Sequence, residues 1–489
     1  MRIITLIIFV IAGIWVALNP VAADISLSLH EAKILLAGGE YVKDFFEINP
    51  PLYLYLYMPA IIAAKLFSMN LFLAFQLYIF ALIAGSLYVC GSLDTLFVSG
   101  FVRVATNPAQ KKRIQATMLA FILLILPTPL VFGQREHLLL IFSLPYLFLL
   151  ARRLENRKIK PYFAVLIGLF AGIGFAIKPF FCLTIVLLEI YYLLDKKKWS
   201  ACFRPEVLAI ASVMIIYLLS ILLLHQGYLN VVMPLAMRLY YQGFRSELSA
   251  LLCLPSFVTV LICILLFVIS RKYDSNKKTT NVFFIAMIGF AVAYLMQQLN
   301  WYYHVYPAYA LAVILTIYFC NLLIKRKIVN GFILLILVLI MPLVQAIYCV
   351  QEISFWQQKQ VAIRDFIQKK AYQKPIYFLT TSLKVEYPVI DYAGAIPSSI
   401  FPSLWWLSGY LKQMHSIQLE KDKNYFLDTI ANELKTNKPV LVFVQMEKNL
   451  NLVQFFSQNK NFAIQWKNYR YLMDIQEKDY YHLSVFERY

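Results

Sequence analysis

Acidic and cationic side chains are scarce in this chain, and several of them lie in short segments between long apolar runs. The residues of this kind that could do chemistry are Asp24, Asp44, Glu47, Arg135, Glu136, His137, Lys178 and His304. A carboxylate can abstract a proton, orient a hydroxyl or bind a cation. Lysine and arginine suit phosphate groups, arginine through its planar fork of donors. The set predicts a transfer reaction in which an acid deprotonates an acceptor hydroxyl while cations stabilise a departing phosphate.

The first of these acids, Asp24, stands where the chain leaves the first apolar run. It is either a general base at the membrane surface or a helix N-cap in a solvated loop. Ser28 and Glu31 have the spacing of a capping box, and the pair Gly38-Gly39 is typical of a helix stop. The spacing therefore predicts a short helix of about two turns along the membrane surface.

The next two acids, Asp44 and Glu47, are three residues apart in the segment GGEYVKDFFEINPPLYLY. If this segment is helical, their carboxylates share one face and form a pair that could bind a cation or a hydroxyl. The alternative is a solvated surface turn. The sequence leaves both readings open.

Three adjacent ionisable residues, Arg135, Glu136 and His137, occupy the short segment GQREH between two apolar runs. An arginine at this depth is costly unless it has a partner, and a phosphate group is a suitable one. The alternative is a simple interfacial anchor. We predict that these three residues bind substrate in an outer turn.

Lys178 ends the apolar run GLFAGIGFAIKPFF, in which Gly168, Gly172 and Gly174 predict close helix packing. This lysine either extends its amine to the membrane interface or binds a phosphate. His304 lies in the aromatic segment NWYYHVYP, which is also typical of an interfacial belt. Both residues are predicted here as substrate-binding groups.

The amino-acid composition indicates that membrane-spanning helices position these residues. The chain has 489 residues, of which 61% are hydrophobic and only 15% are charged, whereas roughly 25% is usual in soluble proteins. Its net charge of +19 is concentrated in short loops, which is the positive-inside pattern of membrane proteins and not a nucleic-acid footprint. The seven cysteines show no CxxC spacing, so a disulfide framework or zinc site is not expected.

The apolar runs predict eleven membrane-spanning helices. These are 3–19, 70–93, 115–132, 136–151, 161–178, 180–194, 206–224, 250–270, 281–299, 307–324 and 330–349. The first run also resembles a signal peptide, because Met1-Arg2 precedes it and Val-Ala-Ala follows it. Uncleaved, it is the first span. Basic loops, including the one at 94–114, are predicted to face the cytoplasm.

The apolar run 51–66 is not counted as a span. Residue 50 is predicted outside and the basic loop at 94–114 inside, so only one of the two runs between them can cross. The run 70–93 is the longer. We therefore expect 51–66 to lie at the outer interface, with Tyr53, Tyr55 and Tyr57 near the lipid headgroups.

The polar tail after residue 350 is predicted to be a small α/β domain outside the cytoplasm. Strands are expected at 375–380, 439–445 and 482–488, and helices at 355–370, 423–436 and 448–458. The predicted fold class is thus a polytopic α-helical membrane protein. A transmembrane catalytic domain covers 1–349, with surface helices in its first outer loop, 20–69. A C-terminal domain covers 350–489.

These features together resemble the GT-C-fold glycosyltransferases that use polyprenyl-phosphate sugars, a group that includes protein O-mannosyltransferases and aminoarabinose transferases. The likeness is carried by the acidic first outer loop, the stretch Y-x-x-D-F-x-E-x-N-P-P-L, the KPFF turn and the WYYHVYP turn. It is strongest to a bacterial group of unassigned substrate, whose tail resembles FLTTSLKVEYPVIDYAGAIPSSIFPSLWW at 378–406.

The resemblance implies that an Asp just after the first span, here Asp24, is the catalytic base. Ile25 stands where the mannosyltransferases have Glu, so Asp44 is the competing candidate. The phosphate-binding cations would map to Lys178 and Arg135. No cofactor is implied with certainty, and a divalent-metal requirement is left open.

The function expected from these residues and the resemblance is transfer of a sugar from a polyprenyl-phosphate carrier to a lipid, glycan or protein acceptor, with inversion. The partners would be the lipid-linked donor and membrane lipids, not nucleic acid. The protein would sit in the bacterial cytoplasmic (inner) membrane with its active site facing outward. The alternative is a transporter or flippase of lipid-linked sugars, which usually places ionisable residues near mid-membrane and shows internal repeats.

Overall fold

The architecture comes from a computed structural model that describes residues 2–19, 21–93, 115–328, 331–414, 416–446, 450–477 and 481–489. The predicted basic loop at 94–114 lies outside these ranges. Helices dominate the described residues, and a small sheet lies near the C-terminus. The chain is therefore an α-helical membrane protein with a C-terminal α/β domain, as its composition predicted.

The helices of eight or more residues in the described ranges are numbered here in chain order. They are α1 (Arg2–Leu18), α2 (Ala23–Leu36), α3 (Leu52–Leu66), α4 (Leu71–Ser92), α5 (Gln115–Ile125), α6 (Arg135–Leu154), α7 (Pro161–Ala176), α8 (Cys182–Lys196), α9 (Pro205–Leu224), α10 (226–244), α11 (Pro255–Ser270), α12 (Lys277–Gln297), α13 (Tyr306–Lys325), α14 (Gly331–Ala371), α15 (Trp405–Lys412) and α16 (Ile417–Asn437).

Six helices in the described part of the chain, α4, α6, α9, α11, α12 and α13, are long and apolar enough to cross a bilayer. Each has close to the roughly 20 residues that a membrane span requires, with α11 counted together with the turn that extends it to Tyr273. The apolar helices α3, α5 and α7 are shorter, and α3 contains Pro59. The count of eleven spans and the direction of each remain predictions.

Helices α6 and α13 are buried along most of their length, whereas α9 is largely exposed. α6 packs against α4, α7, α12 and α13. An apolar helix that is covered on all sides belongs to the interior of a bundle, and one exposed all round faces lipid. α6 is therefore the central helix of its bundle, and its first residues are held in a fixed position.

The glycines of α7 allow close packing, as predicted. A Cβ atom on Gly168 would lie 2.4 Å from the Glu206 carbonyl oxygen, and one on Gly172 would lie 2.9 Å from the Val213 Cβ atom. On Gly174 it would lie 2.9 Å from the Phe142 Cβ atom. Only residues without a side chain permit backbones this near. This packing fixes the end of α7, where Lys178 follows.

The described residues form two compact units, each assembled from several stretches of chain. The first contains Met1–Asn19, Pro59–Leu223 and Ser246–Gln351, and the second contains Pro20–Met58, Leu224–Arg245 and Glu352–Tyr489. Candidate residues fall in both units. The division into domains at residue 350 remains a prediction.

The second unit contains a five-stranded mixed sheet with the order β2-β1-β3-β5-β4. Its strands are β1 (Pro375–Leu379), β2 (Ile396–Pro397), β3 (Leu441–Gln445), β4 (Tyr469–Glu477) and β5 (Tyr481–Arg488). β1 pairs in parallel with β2 and β3, and β5 pairs antiparallel with β3 and β4.

The three strands predicted in the tail are confirmed as β1, β3 and β5. β2 and β4 were not predicted, because β2 has only two residues and β4 mixes apolar residues with the charged residues Arg470, Asp474 and Glu477. The predicted helix 355–370 is the end of α14, and 423–436 lies within α16. Of the predicted helix 448–458, the structure shows Leu452–Phe456 as helical.

Candidate functional site

The segment GQREH contains a bend at Gly133 and Gln134 and then the start of helix α6, so Arg135, Glu136 and His137 lie in the first turn of a helix and not in a loop. Their position on the outer side remains a prediction. Gly133 has a backbone φ of +81°, and a Cβ atom there would lie 2.5 Å from the Phe75 ring. Glycine adopts this conformation without strain. The chain then turns and α6 begins at Arg135, with Glu136 in its first turn, where the helix dipole favours a negative charge.

Because consecutive residues of a helix point in different directions, the side chains of Arg135, Glu136 and His137 are separated. His137 turns back toward the bend: its Nδ1 atom accepts a bond from the Gly133 N–H (2.9 Å). Its Nε2 atom must then carry the proton, and it donates to the Leu123 carbonyl (2.9 Å). Both ring nitrogens of His137 are thus bound to backbone groups.

Glu136 instead meets three residues from other helix ends. The Lys178 amine donates to Glu136 Oε1 (2.6 Å), to Gln297 Oε1 (3.3 Å) and to His304 Nε2 (3.2 Å). His304 Nε2 lies 3.6 Å from Glu136 Oε1. All four residues belong to the first unit and are almost fully buried. We call these four side chains the Lys178 cluster.

Lys178 reaches this position because of the residue that follows it. Pro179 restricts the preceding residue to extended backbone, and Lys178 has φ −138° and ψ 141°. The lysine is only 5% exposed. It therefore does not extend to the membrane interface, and its charge is balanced by a carboxylate. The sequence analysis predicted only two environments for Lys178, the membrane interface or a bound phosphate.

His304 lies between α12 and α13 and is 4% exposed. Burial lowers the pKa of His304 well below 6.5, and the positive charges of Lys178 and Arg135 lower it further. The nearby backbone carbonyl of Leu299 opposes this effect on the pKa. The imidazole is therefore neutral, so that Nε2 can accept the lysine proton while Nδ1 carries the ring hydrogen.

The cluster has unused hydrogen-bonding capacity at two buried atoms, Glu136 Oε2 and His304 Nδ1. Neither atom has a hydrogen-bond partner among the described residues. Arg135 is also buried, and its charge acts on His304. The site thus places two cationic side chains and one carboxylate near one another in the bundle interior, a combination suited to a ligand that carries both anionic and hydroxyl groups.

Asp24 belongs to the second unit and lies in the first turn of α2, where it is half-buried. α2 begins at Ala23, so the predicted capping box was wrong: Ser28 and Glu31 lie inside the helix. The Ser28 hydroxyl donates to the Asp24 carbonyl oxygen (2.5 Å), a bond that serine makes within helices. The predicted stop is confirmed, because Gly38 has φ +91° directly after the helix.

The acids Asp44 and Glu47 lie in a turn and not in a helix. Asp44 is exposed, and its Oδ2 atom accepts the Glu40 N–H (2.8 Å). Glu47 is buried, and its Oε1 atom accepts the backbone N–H (2.6 Å) and the side-chain N–H (2.5 Å) of Asn49. Both carboxylates therefore stabilise the local turn.

The tyrosines of α3 differ in exposure. Tyr53 and Tyr57 are buried and pack edge to face, with ring centroids 5.6 Å apart. Tyr55 is 37% exposed, and its hydroxyl bonds to His225 Nε2 (2.8 Å). Of the three, only Tyr55 is as accessible as an interfacial tyrosine should be.

Two polar partners were missed by sequence reasoning. Gln297 completes the Lys178 cluster, yet no spacing rule links it to a lysine 119 residues away. Asp391, in the tail, accepts a hydrogen bond from Ser26, two residues after Asp24. Neither contact has a local signal in the sequence, since each depends on how distant segments pack.

No protein-family model and no curated protein matches this sequence. The fold does match solved structures. The crystal structure of ArnT from Cupriavidus metallidurans bound to undecaprenyl phosphate aligns with a TM-score of 0.54 at 12% identity, covering 99% of this chain and 97% of that one. The apo state of the same protein aligns with a TM-score of 0.56 at 11% identity and equal coverage. The predicted resemblance is thereby confirmed for the fold: along its whole length, the chain has the fold of ArnT.

Proposed function

We propose that the protein is a glycosyltransferase that moves a sugar from a polyprenyl-phosphate carrier to an acceptor outside the cytoplasm. The observation that carries this proposal is the Lys178 cluster, a buried constellation of polar side chains in a GT-C fold. Ionisable residues inside a membrane bundle are costly and mark functional sites by default. The undecaprenyl phosphate bound by ArnT supports a lipid-phosphate donor.

Lys178 and Arg135 would bind the phosphate of the carrier. The contact of Lys178 with Glu136 is short and charge-assisted, whereas its contacts with Gln297 and His304 are longer, at 3.3 and 3.2 Å. A phosphate oxygen would replace one of the longer contacts. Glu136 would keep the amine in place and hold its charge, and the arginine fork would bind a second oxygen.

The base is assigned to Asp24 on the resemblance. The acceptor hydroxyl would lose its proton to Asp24 and its oxygen would attack the anomeric carbon. The bond from that carbon to the carrier phosphate would break, and the phosphate would leave with the bonding electron pair. Attack opposite to the leaving group inverts the anomeric centre. Asp44 is the second candidate, although its carboxylate already accepts a backbone N–H.

Transfer can be tested in membranes from cells that contain or lack the protein. Undecaprenyl phosphates carrying radiolabelled hexoses or pentoses are supplied, and the label is followed from carrier to product. Appearance of a labelled product only in the presence of the protein supports the proposal. Label that crosses the bilayer while still attached to its carrier contradicts it and indicates a transporter. Unchanged transfer by both Asp24→Asn and Asp44→Asn would overturn the base assignment.

The orientation is a separate part of the proposal. We infer that the protein lies in the bacterial cytoplasmic membrane with the active site and residues 350–489 outside. The positive-inside pattern supports this orientation. A phosphatase fused after Tyr489 should be active only if the tail is outside. A fused phosphatase that remains inactive, together with a fluorescent fusion that matures, would place the tail in the cytoplasm.

A further inference from the structure

Helix α2, which carries Asp24, begins without a capping side chain of its own. Ala22 occupies the N-cap position and makes no side-chain hydrogen bond to the first turn. Alanine has no side-chain oxygen for this purpose, whereas the usual N-cap residues Ser, Thr, Asp and Asn do. The residues at the start of the helix therefore do not fix its position by themselves.

Two hydrogen bonds from the tail hold the start of α2 on either side of Asp24. The Ser26 hydroxyl donates to a carboxylate oxygen of Asp391, and the Val21 N–H donates to the Tyr392 hydroxyl (3.3 Å). Val21 lies three residues before Asp24, and Ser26 lies two residues after it. All five residues belong to the second unit. The bonded partners are 365 and 371 residues apart in sequence, so these bonds form only when the unit is folded.

A ring contact extends this contact surface along α2. The His30 and Tyr387 ring centroids lie 6.2 Å apart, and Tyr387 is buried. His30 stands at the end of about two helical turns. The tail segment 387–392 therefore follows α2 from the residues just before it through its first two turns.

The tail segment that holds α2 is itself anchored in the core of the β-sheet. Asp391 and Tyr392 belong to a short helix, Val389–Ala393, and are its exposed residues. The other three residues of this helix are buried and pack in one cluster with Phe378 of β1 and Phe443 of β3. A helix that is fixed by its apolar face presents its polar face in a defined position. The sheet core thus holds the two side chains that hold α2.

We propose that Asp391 and Tyr392 are positioning residues for the transfer reaction: they hold the start of α2 so that the Asp24 carboxylate stays in the geometry that proton abstraction requires. This role rests on the proposed function, in which Asp24 is the base, and it gives the C-terminal domain a part in the reaction. A general base acts only within hydrogen-bond reach of the proton that it takes. A displacement of about 1 Å can reduce a rate by about 10²-fold.

Transfer kinetics of the full-length protein in membranes test this inference. The double variant Asp391→Ala/Tyr392→Phe removes both acceptors, and we call it the double tail variant. Asp391→Asn retains an oxygen that can accept the Ser26 proton. Both positions are exposed, so the substitutions are not expected to disturb folding. The substrate is an undecaprenyl phosphate that carries a radiolabelled sugar.

The matched control is Asp428→Ala. Asp428 is also an exposed acid of the second unit, but its hydrogen bond comes from Asn459 (2.6 Å) and not from α2. We expect the kcat of the double tail variant to fall by about 10- to 100-fold. Its KM for the donor should stay near the wild-type value, because the carrier is bound by other residues. Asp391→Asn should keep most of the rate, and Asp428→Ala all of it.

The same change in an Asp24→Asn background separates positioning from a general structural role. Residues that act through the Asp24 carboxylate cannot act when it is absent, so the double tail variant should lose no further rate there. An equal fold-loss in both backgrounds would overturn the inference. An unchanged kcat in the double tail variant, with normal transfer by the wild type, would overturn it and leave the proposed function intact. Absence of transfer by the wild type would overturn the proposed function and this role together.

Hydrogen exchange measures the position of α2 independently of activity. Amides 21–28 should exchange faster in the double tail variant than in the wild type, and the amides of β3 should exchange at the wild-type rate. Unchanged exchange at 21–28 would show that the tail does not hold α2 and would overturn the inference. Faster exchange in β3 as well would also overturn it, because Asp391 and Tyr392 would then stabilise the whole domain and not position Asp24.

Discussion

The Lys178 cluster and the acidic segment 24–47 both contain candidate residues, but they satisfy their charges in opposite ways. Glu136, Lys178 and His304 are far apart in sequence and meet each other in a buried position. Asp44 and Glu47 bind backbone and side-chain groups no more than four residues away. A charge held by distant partners depends on the whole bundle, whereas a charge held by its own turn does not.

This difference teaches which candidate residues have roles beyond local structure. The carboxylate bonds of Asp44 and Glu47 are made to groups within the turn at 41–49 or next to it. The Lys178 cluster would not exist unless α6, α7 and α12 were packed together. Burial of a lysine and a glutamate costs free energy, so their presence in the bundle interior needs a compensating role.

The largest effect is expected for Lys178→Met. Removing one partner of a buried ion pair leaves the other charge uncompensated, at a cost of about 3–5 kcal/mol. The midpoint of thermal unfolding in detergent should fall strongly, and carrier binding should be lost. Lys158→Met, in an exposed loop, is the control. The double variant Glu136→Gln/Lys178→Met should recover part of the stability that Lys178→Met loses. If the loss in the double variant equals the sum of the losses in the two single variants, Glu136 and Lys178 are not energetically coupled.

The second largest effect concerns activity. Asp24→Asn should reduce transfer by about 10²–10⁴-fold if Asp24 is the general base, with little change in unfolding temperature. The measurement is the initial rate of sugar transfer at saturating donor. Asp44→Asn is the matched control. If Asp44→Asn shows the large loss of transfer rate and Asp24→Asn does not, Asp44 and not Asp24 is the general base.

A smaller effect is expected from pH. The pKa of His304 is lowered well below 6.5 in the folded protein, so the unfolded chain binds a proton first as pH falls. The stability that neutral His304 contributes is fully present above about pH 6.5 and is lost progressively below it. The His304→Asn variant should show a flatter dependence of unfolding free energy on pH between 7 and 5. An unchanged slope would show that His304 has the same pKa in the folded and the unfolded chain, which would contradict the lowered pKa.

The smallest effect is expected for the stability of Asp44→Asn. Asparagine retains an oxygen that can accept the Glu40 N–H, and the site is exposed. The free energy of unfolding should change by no more than about 0.5 kcal/mol. Denaturant titration monitored by tryptophan fluorescence gives this value. A loss as large as that of Lys178→Met would show that Asp44 has partners beyond its own turn.

Several elements could be predicted because their signals are local. The glycines of α7 predicted close packing, Gly38 predicted the end of α2, and short apolar runs predicted β1, β3 and β5. The capping box was wrongly predicted, because the spacing of Ser28 and Glu31 also fits the interior of a helix that starts earlier. The segment at 135–137 was assigned to a loop, because charged residues are unusual in the first turn of a membrane helix.

Sequence alone determined that this is a helical membrane protein, because a chain that is 61% hydrophobic must place helices in a bilayer. It also supplied the residue types at the candidate site. Only the tertiary structure decided that Lys178 faces Glu136, because this pairing depends on the close packing of α7 and on the turn at Gly133. Helix periodicity sets which residues share a face, but the partner of a buried charge is chosen by the packing of distant helices.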